Sequence, residues 1–419
     1  MNSKERVKTV LSHRAADKIA VDLGCSPVSG IHCKVVEELR RHYGLEDRPV
    51  KVHEPGQMLG LVEDDLAEAL GLDVIGCWAA NNGWGIPQKD WKPYRMPWGQ
   101  TVMFPAPLAD SIVEKDGALY GFAQGDNTVP PATMMPELCY FFDCLERQSG
   151  EIDDAALRVE DNLEEFGEIS DADVAHWKKT IDEASQSGKA VFANLGGMAL
   201  GDIGILLAPC LKHPKGIRQV AEWYMSTLTR QDFIRELFDR QTDTAIKNLE
   251  KIYAAVGNKI DIAFICGTDF GTQTSQFCSD ETFRYLWMPY YKKVTGWIHE
   301  HTTWKTFKHC CGAIVPLMES FIECGFDIIN PVQIAAAGMD PKFLKEQYGD
   351  RITFWGGGVD TQRTLPYGSP DDVRREVLEL CEIFGRDGGF VFNTIHNIQA
   401  NVPIENVVAM VEALREIRG

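Results

Sequence analysis

The second half of the chain alternates between short apolar runs and longer stretches in which apolar residues recur with helical spacing. After Val174 the apolar runs predict six strands, at Ala190–Leu195, Ile260–Cys266, Thr306–Cys310, Asp327–Asn330, Ile352–Gly356 and Gly389–Asn393. The spaced apolar residues predict helices at Ala175–Ser187, Ile217–Thr227, Arg230–Ala255, Glu281–His301, Ile314–Glu323, Pro341–Tyr348, Asp371–Phe384 and Ile404–Ile417. Strands that alternate with helices in this way are typical of α/β proteins with a parallel sheet.

Two more strands are predicted near the N-terminus, at Lys18–Leu23 and Asp73–Gly76, with helices at Lys4–Ser12, Val35–Tyr43 and Leu61–Leu70. A total of about eight strands, each followed by a helix, predicts a (β/α)₈ TIM barrel. The alternative is an open doubly wound sheet, which needs fewer strands and usually a phosphate-binding Gly-x-Gly-x-x-Gly sequence. The three glycines Gly356–Gly358 do not supply that spacing before a helix, so the barrel is favoured.

Residues 78–174 interrupt this pattern, and we predict that they form an irregular insert after the second strand of a single domain spanning 1–419. The segment is rich in tryptophan, glycine and proline, and Thr101–Phe104 and Ala118–Phe122 predict short β segments on either side of the turn at Asp116. The insert could form a rim or lid over the barrel, or serve as a packing element. The sequence favours neither alternative.

Composition and charge narrow the class of partner. The chain has 61 acidic and 42 basic side chains and a net charge of −19, which argues against nucleic acid and anionic membranes as partners. The polar start at Met1–Arg6 has no apolar signal region, and no apolar run approaches the length of a membrane span, so a cytoplasmic protein is expected. Its 12 cysteines predict reduced thiols or metal ligands rather than a disulfide framework.

The pair His309 and Cys311 at the end of the predicted strand Thr306–Cys310 is the strongest chemical signal. Residues two apart in an extended chain point the same way, so both side chains can face one point while Cys310 faces away. Imidazole and thiolate together suit a borderline-soft cation such as Zn²⁺. The pair needs at least one more ligand to form a metal site.

Barrel enzymes place their active sites at the carboxyl ends of the strands. Polar and sulfur-containing residues collect there in this sequence: Asp22, Cys25, Cys77, Asn194, Cys266, Asp269, His309, Cys311, Asn330, Gln333, Asp360, Gln362, Asn393, His396 and Asn397. We predict His396 as the third ligand, with Asp269, Cys266 and Gln333 in reserve. Candidates for orienting the substrate or transferring a proton are Asp269, Gln333 and Asp360, and candidates for binding it are Asn194, Asn330 and Asn393.

Each of these residues also has a purely structural interpretation. His309 could be a core histidine bonded to the backbone, although a histidine beside thiols at a strand end more often has a task. His396 could equally cap the last helix or bind a substrate carboxylate without touching a metal. Asp269 and Asp360 could hold turns, as aspartate often does.

Four C-terminal segments resemble the uroporphyrinogen decarboxylase superfamily: His309–Gly312, Gly356–Asp360, Asn393–His396 and Val402–Asn406. Within that superfamily the chain looks more similar to the corrinoid-dependent methyltransferases and their uncharacterised relatives. The segments Asp22–Gly24, Ser29–His32 and Ile262–Gly271 also look like that branch, so the likeness covers most of the chain. The resemblance implies a (β/α)₈ barrel, zinc, and a corrinoid carried by a partner protein.

Departures from the family pattern decide the expected subfamily. Uroporphyrinogen decarboxylases carry an arginine-rich loop after the first strand, whereas the corresponding loop Cys25–His32 has no arginine. The coenzyme M methyltransferases of the family bind zinc with His-x-Cys and a distant cysteine. His309 and Cys311 match the first part, but His396 stands at the late position, in an Asn-x-x-His context that decarboxylases share. The resemblance therefore leaves the third ligand open.

The expected function is a zinc-dependent methyltransferase, with O-demethylation among its reactions. It would move a methyl group between a small methyl ether, amine or thiol and a cobalamin-type corrinoid on a partner corrinoid protein. A neutral imidazole from His396 in place of a thiolate would make zinc a stronger Lewis acid, which favours transfer from donor to cobalt(I). The alternatives are a metal-free decarboxylase of the same fold and a non-catalytic binding protein, and whether the chain forms a homodimer stays open.

Overall fold

Eight parallel strands form the centre of the computed structural model, which describes residues 1–148, 150–195 and 199–418. In chain order these barrel strands are Ala20–Val21, Val74–Cys77, Ala190–Ala193, Ile262–Cys266, Lys305–His309, Ile328–Asn330, Thr353–Trp355 and Phe390–Phe392. Each pairs with the next from the second to the eighth, and the eighth pairs in parallel with the first. The predicted (β/α)₈ barrel is confirmed, and every predicted barrel strand lies within two residues of its observed ends.

The seam between the first and second strands is closed by hydrogen bonds just outside the regular ladder. The amide of Asp73 donates to the Val21 carbonyl at 2.9 Å, and the Val21 amide donates to the Asp73 carboxylate at 3.0 Å. Arg6, on the N-terminal helix, donates a hydrogen bond to the same carboxylate at 2.5 Å. One backbone hydrogen bond and the Asp73 carboxylate therefore join these two short strands, which form no regular ladder with each other.

Helices surround the barrel, and the main ones are Ser3–Val10, Cys33–His42, Asp64–Leu70, Asp171–Ala184, Val220–Thr229, Gln231–Val256, Asp280–Leu286, Met288–His301, Met318–Glu323, Pro341–Tyr348, Pro370–Gly385 and Ile404–Arg418. Shorter α-helices lie at Ala106–Ser111, Ile203–Leu206 and Thr364–Tyr367, and 3₁₀ turns at Ala123–Gly125, Val159–Asn162, Gly257–Lys259 and Val315–Leu317. The predicted helix Glu281–His301 is two helices that meet at Trp287. Pro289 explains the break, because proline has no backbone N–H and fits the first turn of a new helix.

The barrel interior is filled by large apolar side chains. The rings of Phe192 and Phe307 lie 4.9 Å apart, and Trp355 lies 5.8 Å from Phe192 and 5.6 Å from Phe307. Val7 and Val10 of the N-terminal helix belong to the same buried cluster. Since the interior is a packed core, polar chemistry in this fold belongs at the mouth formed by the strand ends.

The long excursion between the second and third barrel strands contains two small sheets. One is antiparallel and joins Val113–Lys115, Ala118–Gly121, Thr133–Met135 and Asp143–Cys144. The other joins Leu59–Gly60, Val50–Glu54, Thr101–Pro105 and Trp91–Arg95, so it also uses chain that precedes the second barrel strand. The strand Val50–Glu54 escaped sequence analysis because its apolar alternation covers only Val50 and Val52, and one of its two partners, Thr101–Pro105, is about fifty residues away.

Among the described residues, no helix combines the length and the apolar character that a membrane crossing requires.

Candidate metal centre

The fifth barrel strand, Lys305–His309, presents one face to the barrel interior and the other to the surrounding helices. Phe307 packs among the interior aromatic side chains, and His309 follows it on the same face at the mouth. Lys308 points the other way and lies over the rings of Phe270 and Tyr291, at 5.3 and 5.8 Å. The alternation of a strand therefore delivers an imidazole to the mouth directly above a packed core.

Asn330 fixes the orientation and the tautomer of the His309 ring. The Asn330 amide nitrogen donates to the Trp355 carbonyl at 2.8 Å, so its oxygen is the atom that accepts from His309 Nδ1 at 2.6 Å. The proton of the neutral ring is thus inferred to lie on Nδ1, which leaves a lone pair on Nε2. A histidine whose other nitrogen donates to a fixed acceptor is the usual arrangement for a metal ligand.

Cys311 brings its thiol to that lone pair. Cys311 Sγ lies 3.4 Å from His309 Nε2. The backbone that carries the thiol is held on two sides, because the Cys311 amide donates to Asp269 at 2.6 Å and the Gly312 amide donates to Gln333 at 2.8 Å. Gly312 has φ of +91°, and a Cβ there would approach the Gly271 backbone to 2.4 Å, so this turn requires glycine.

His396 completes a group of three donors. One ligand atom each of His309, Cys311 and His396 lies within 4.8 Å of the other two. The two imidazole rings are 5.4 Å apart and nearly perpendicular. The Asn397 amide donates to His396 Nδ1 at 2.8 Å, so the proton of the neutral His396 ring lies on Nε2. His396 is therefore close enough to act as a ligand but is held by a backbone amide.

Burial determines the charge of all three donors. Burial lowers the pKa of His309 to about 4 and that of His396 to about 4, so both rings are neutral near pH 7. Burial, with smaller contributions from Asp269 and Cys310, raises the pKa of the Cys311 thiol well above its usual value. Binding of a cation by this set would release the thiol proton, as is general for cysteine ligands.

Cys310 has a different environment from its neighbour. Its side chain is fully buried, its sulfur accepts a hydrogen bond from the Phe270 amide at 3.2 Å, and burial raises its pKa to about 12. The thiol is thus a small core side chain that helps to fix the loop after the fourth strand. Cys266, a reserve ligand in the sequence analysis, bonds to the Tyr291 hydroxyl at 3.3 Å and is not part of the group of three.

The predicted proton-transfer residues occupy unequal positions. Asp269 lies nearest to the donors, with Oδ1 3.9 Å from His309 Nε2, and burial raises its pKa. Gln333 uses its amide oxygen to hold Gly312. Asp360 accepts from the amides of Gln362 and Arg363 at 2.7 and 3.2 Å, and so holds a turn. The structure brings Asp269 to the donors and gives Gln333 and Asp360 backbone contacts.

Two of the three predicted substrate-binding asparagines, Asn194 and Asn393, each have one unpaired polar atom among the described residues. The Asn194 amide nitrogen donates to the carbonyls of Cys25 and Cys77, and that of Asn393 donates to the Asp22 carbonyl at 2.9 Å. The amide oxygens of Asn194 and Asn393 are buried and have no hydrogen-bond partner within the described parts of the chain. Asn330, by contrast, is fully committed to His309 and the seventh strand.

Lys308, Asp202 and Tyr224 were missed by sequence analysis. Lys308 is fully buried, and its Nζ donates to the carbonyls of Thr268 and His309 at 2.5 Å each. Asp202 accepts from the Gly204 amide at 2.9 Å, and burial, together with Asp269, raises its pKa to about 6. Burial raises the pKa of Tyr224 to about 12, and the charges of Asp269 and Asp202 contribute in the same direction. The alternation of the fifth strand could have located Lys308, but the positions of Asp202 and Tyr224 depend on loop packing.

Comparison with known proteins adds three findings. The sequence model of the family described as Uroporphyrinogen decarboxylase (URO-D) matches residues 205–417, about half of the chain. A uroporphyrinogen decarboxylase of Aliivibrio salmonicida is 35% identical over 95 residues, and one of Vibrio campbellii is 37% identical over 95 residues. Each match covers 20% of this chain and 26% of the relative, so the chain spans about a quarter of the length of these relatives.

The solved structure of a methyltransferase from Methanosarcina mazei is similar along the whole chain. The TM-score is 0.56 and the sequence identity 17%, and the match covers 100% of both chains. This likeness shows a shared fold.

Proposed function

The chain belongs to the uroporphyrinogen decarboxylase family, and from this premise we propose that it is a zinc-dependent methyltransferase. It moves a methyl group between a small methyl ether, amine or thiol and a cobalt corrinoid carried by a partner protein. The observation that carries the proposal is the group formed by His309, Cys311 and His396, whose donor atoms lie within 4.8 Å of one another at the barrel mouth.

The geometry of the first two donors fits zinc. Zinc bonds of about 2.1 Å to nitrogen and about 2.3 Å to sulfur place two tetrahedral ligands roughly 3.6 Å apart. His309 Nε2 and Cys311 Sγ are 3.4 Å apart, and Asn330 already fixes the tautomer of His309 that can bind. Zinc held here would supply Lewis-acid polarisation of the heteroatom that carries the methyl group.

His396 is the proposed third ligand. Either nitrogen of His396 could bind only after the ring gives up the hydrogen bond from the Asn397 amide. A neutral imidazole at this position, rather than a second thiolate, leaves the bound cation more positive. That favours polarising an ether or amine donor, as in O-demethylation, over activating a thiol, so we infer transfer from the donor to cobalt(I).

The chain's own residues divide between positioning and substrate contact. Asn330 orients His309, and Gln333 and Asp360 hold the backbone of the loops at the mouth. Asp269 is the proposed group that orients the substrate or moves a proton, because it is the carboxylate next to the donors. The buried amide oxygens of Asn194 and Asn393 are proposed to accept hydrogen bonds from the substrate.

The solved structure of the Methanosarcina mazei methyltransferase supports the proposal of methyl transfer, since it has a similar fold over the whole chain. We also propose a corrinoid protein as partner. Its cobalt would accept the methyl group and would therefore have to approach the three donor side chains at the barrel mouth.

A metal-free decarboxylase is the second candidate, favoured by the identity of 35–37% over 95 residues with uroporphyrinogen decarboxylases. The loop after the first strand argues against it. That loop, Cys25–His32, has no arginine for the substrate carboxylates, and several of its polar side chains already have hydrogen-bond partners within the chain. Ser26 and Ser29 bond to each other at 2.8 Å, and His32 caps the helix Cys33–His42.

The test uses the full chain loaded with zinc. The protein is mixed with cob(I)alamin and, separately, methoxybenzene, dimethylamine or dimethyl sulfide, and methylcobalamin is followed by its absorbance. We expect methylation of cobalt by at least one donor, and loss of that activity in His309→Ala. A parallel incubation with uroporphyrinogen should yield no coproporphyrinogen. Decarboxylation of uroporphyrinogen without methyl transfer would establish the second candidate, and tight donor binding without either reaction would mark a non-catalytic binding protein.

A further inference from the structure

Asn194 and Asn393 each continue a barrel strand by one residue at the mouth. The Asn194 amide donates to the Cys77 carbonyl at 3.0 Å, which extends the pairing of the third strand with the second. The Gly358 amide donates to the Asn393 carbonyl at 2.9 Å, which extends the pairing of the seventh and eighth strands. The alternation of side chains between the two faces of a strand therefore continues through both asparagines.

This alternation places both side chains in the layer directly above the barrel core. The residues two positions earlier, Phe192 and Val391, belong to the buried interior cluster together with Phe307. The rings of Phe192 and Phe307 are 4.9 Å apart, and His309 lies two residues beyond Phe307. The two asparagines thus stand at the same level of the mouth as the imidazole of His309.

The side-chain amides of both asparagines have their nitrogen paired and their oxygen unpaired. The Asn194 nitrogen donates to the carbonyls of Cys25 and Cys77 at 2.9 and 3.1 Å, and the Asn393 nitrogen donates to the Asp22 carbonyl at 2.9 Å. Because a carbonyl only accepts hydrogen bonds, the atoms that face these carbonyls must be the nitrogens. Both oxygens are buried without a partner among the described residues, and Asn393 has no exposed surface. Two acceptors at the mouth therefore lack a donor.

The two asparagines hold the two ends of one turn, Asp22–Cys25, which follows the first strand. The Cys25 amide donates to the Asp22 carboxylate at 3.1 Å, and the Trp355 indole nitrogen donates to the other carboxylate oxygen at 2.9 Å. Asp22 is 1% exposed, and no basic side chain in the described parts of the chain forms an ion pair with it. Burial raises the pKa of this carboxyl, and a cation bound nearby would favour its charged form. This side of the mouth thus offers acceptors and an unpaired acidic group.

The unpaired oxygen of Asn393 lies close to the residue that orients His309. Gly356 separates Asn393 from Asn330, and a Cβ on this glycine would lie 3.3 Å from Asn330 Nδ2 and 3.7 Å from Asn393 Oδ1. Asn330 in turn accepts from His309 Nδ1 at 2.6 Å. The acceptor of Asn393 and the imidazole of His309 are therefore within reach of one small molecule at the mouth.

We propose that the side-chain oxygens of Asn194 and Asn393 bind an ammonium group of the methyl donor, with the Asp22 carboxylate as the nearby negative charge. The assignment of this group to a methyl donor rests on the proposed function. It narrows the substrate class to small methyl ethers that also carry an amine, which is protonated near pH 7. A carboxylate on the substrate would meet only acceptors and an acidic group here, so anionic methyl ethers are excluded.

The test compares three methyl ethers of similar shape: 3-methoxypropylamine, 1-methoxybutane and 3-methoxypropanoate. Their binding to the zinc-loaded full chain is followed by titration of the ligand NMR signals. We expect the wild-type protein to bind the amine about tenfold or more tighter than 1-methoxybutane, because hydrogen bonds from a charged donor are the stronger ones. The carboxylate should bind the most weakly.

Asn194→Ala and Asn393→Ala should each weaken binding of the amine by about tenfold or more and leave 1-methoxybutane within about twofold. Comparing two ligands on the same variant separates the lost hydrogen bond from general loosening of the mouth. Gln362→Ala is the control, since Gln362 is an exposed amide at the mouth whose oxygen already accepts from Gln273 at 3.5 Å. If Asn393→Ala fails to fold, Asn194→Ala and the wild-type ligand preference still decide the result.

Equal wild-type affinity for the amine and 1-methoxybutane, tighter binding of the carboxylate, or no binding of any probe would overturn the ammonium subsite. A preference for the amine that survives in both asparagine variants would overturn its assignment to these two residues. Methyl transfer from the same amine, and from the simpler donors, to cob(I)alamin is measured in parallel. A protein that shows the expected binding preference but methylates no cobalt retains the subsite and refutes the proposed function, so the two failures are distinguishable.

Discussion

Polar side chains lie on both faces of the fifth barrel strand and its continuation, but the hydrogen-bond partners of those side chains differ between the faces. On the outer face, the Lys308 ammonium donates to two carbonyls and the Cys310 sulfur accepts from the Phe270 amide. On the inner face, His309 Nε2 and Cys311 Sγ meet each other at 3.4 Å. The outer groups are paired with the backbone, whereas the inner pair offers a nitrogen lone pair and a thiol to the barrel mouth.

Cys310 and Cys311 differ in the direction in which their thiols point. They are adjacent in sequence, both are buried enough to raise the pKa of the thiol, and neither differs from the other in chemistry. They lie just beyond the strand Lys305–His309, where the alternation continues and Asp269 and Gln333 hold the backbone, so one sulfur faces the helices and the other faces two histidines. The role of a side chain here follows from the direction in which it points rather than from its residue type.

The largest effect is expected from replacing His396, the proposed third zinc ligand at the barrel mouth. His396→Ala should lose zinc on dialysis, because a catalytic zinc site needs three protein ligands. Zinc content and methyl transfer to free cobalamin are measured together, with His396→Cys as the companion variant that restores a ligand. Full zinc retention by His396→Ala would show that His396 is not a ligand, and the argument for a Lewis-acid role would fall with it.

A second prediction probes the outer face. Lys308→Met should destabilise the protein by about 2–4 kcal/mol, because it leaves the carbonyls of Thr268 and His309 buried without a donor. The measurement is the free energy of unfolding in urea. Lys305→Met is the control on the same strand, since Lys305 is partly exposed and its ion pair with Asp327 should contribute less than about 1 kcal/mol. Equal effects of the two substitutions would contradict a structural role for the buried ammonium.

A smaller effect is expected from replacing Asn330 of the sixth strand, which is hydrogen-bonded to His309 of the fifth. Asn330→Leu removes the acceptor for His309 Nδ1 and should weaken zinc binding by about 10–100-fold, the usual range for such orienting partners. Zinc affinity is measured by competition with a chelator. Asn194→Leu changes a mouth asparagine that does not contact His309, so its zinc affinity should match wild type. An unchanged affinity in Asn330→Leu would refute the orienting role.

The barrel could be predicted because its signals are local. Each strand is a short apolar run such as Gly389–Asn393, and helical spacing fills the intervals between them. That His309 and Cys311 face the same side could also be predicted, because residues two apart in a strand share a face. His396 required the further assumption that the strand ends meet around a closed barrel.

Features that depend on distant packing could not be predicted. Asn330 was expected to bind substrate, yet it orients His309, because the register of the fifth and sixth strands sets those side chains opposite each other. The charge of Asp269 contributes to the raised pKa of Asp202 and of Tyr224, which lie on loop and helix segments whose positions no local pattern determines. The strand Val50–Glu54 likewise depends in part on its pairing with the distant strand Thr101–Pro105.

If the inner face of the fifth strand holds a metal and the outer face does not, the two neighbouring thiols must differ in their effect on zinc content. The most direct measurement is elemental analysis of protein purified without added metal, for the wild-type chain, Cys311→Ser and Cys310→Ser side by side. We expect about one zinc per chain in the wild type and in Cys310→Ser, and loss of zinc in Cys311→Ser. Zinc retained by Cys311→Ser but lost from Cys310→Ser, or a wild-type protein without zinc, would contradict the proposed metal site.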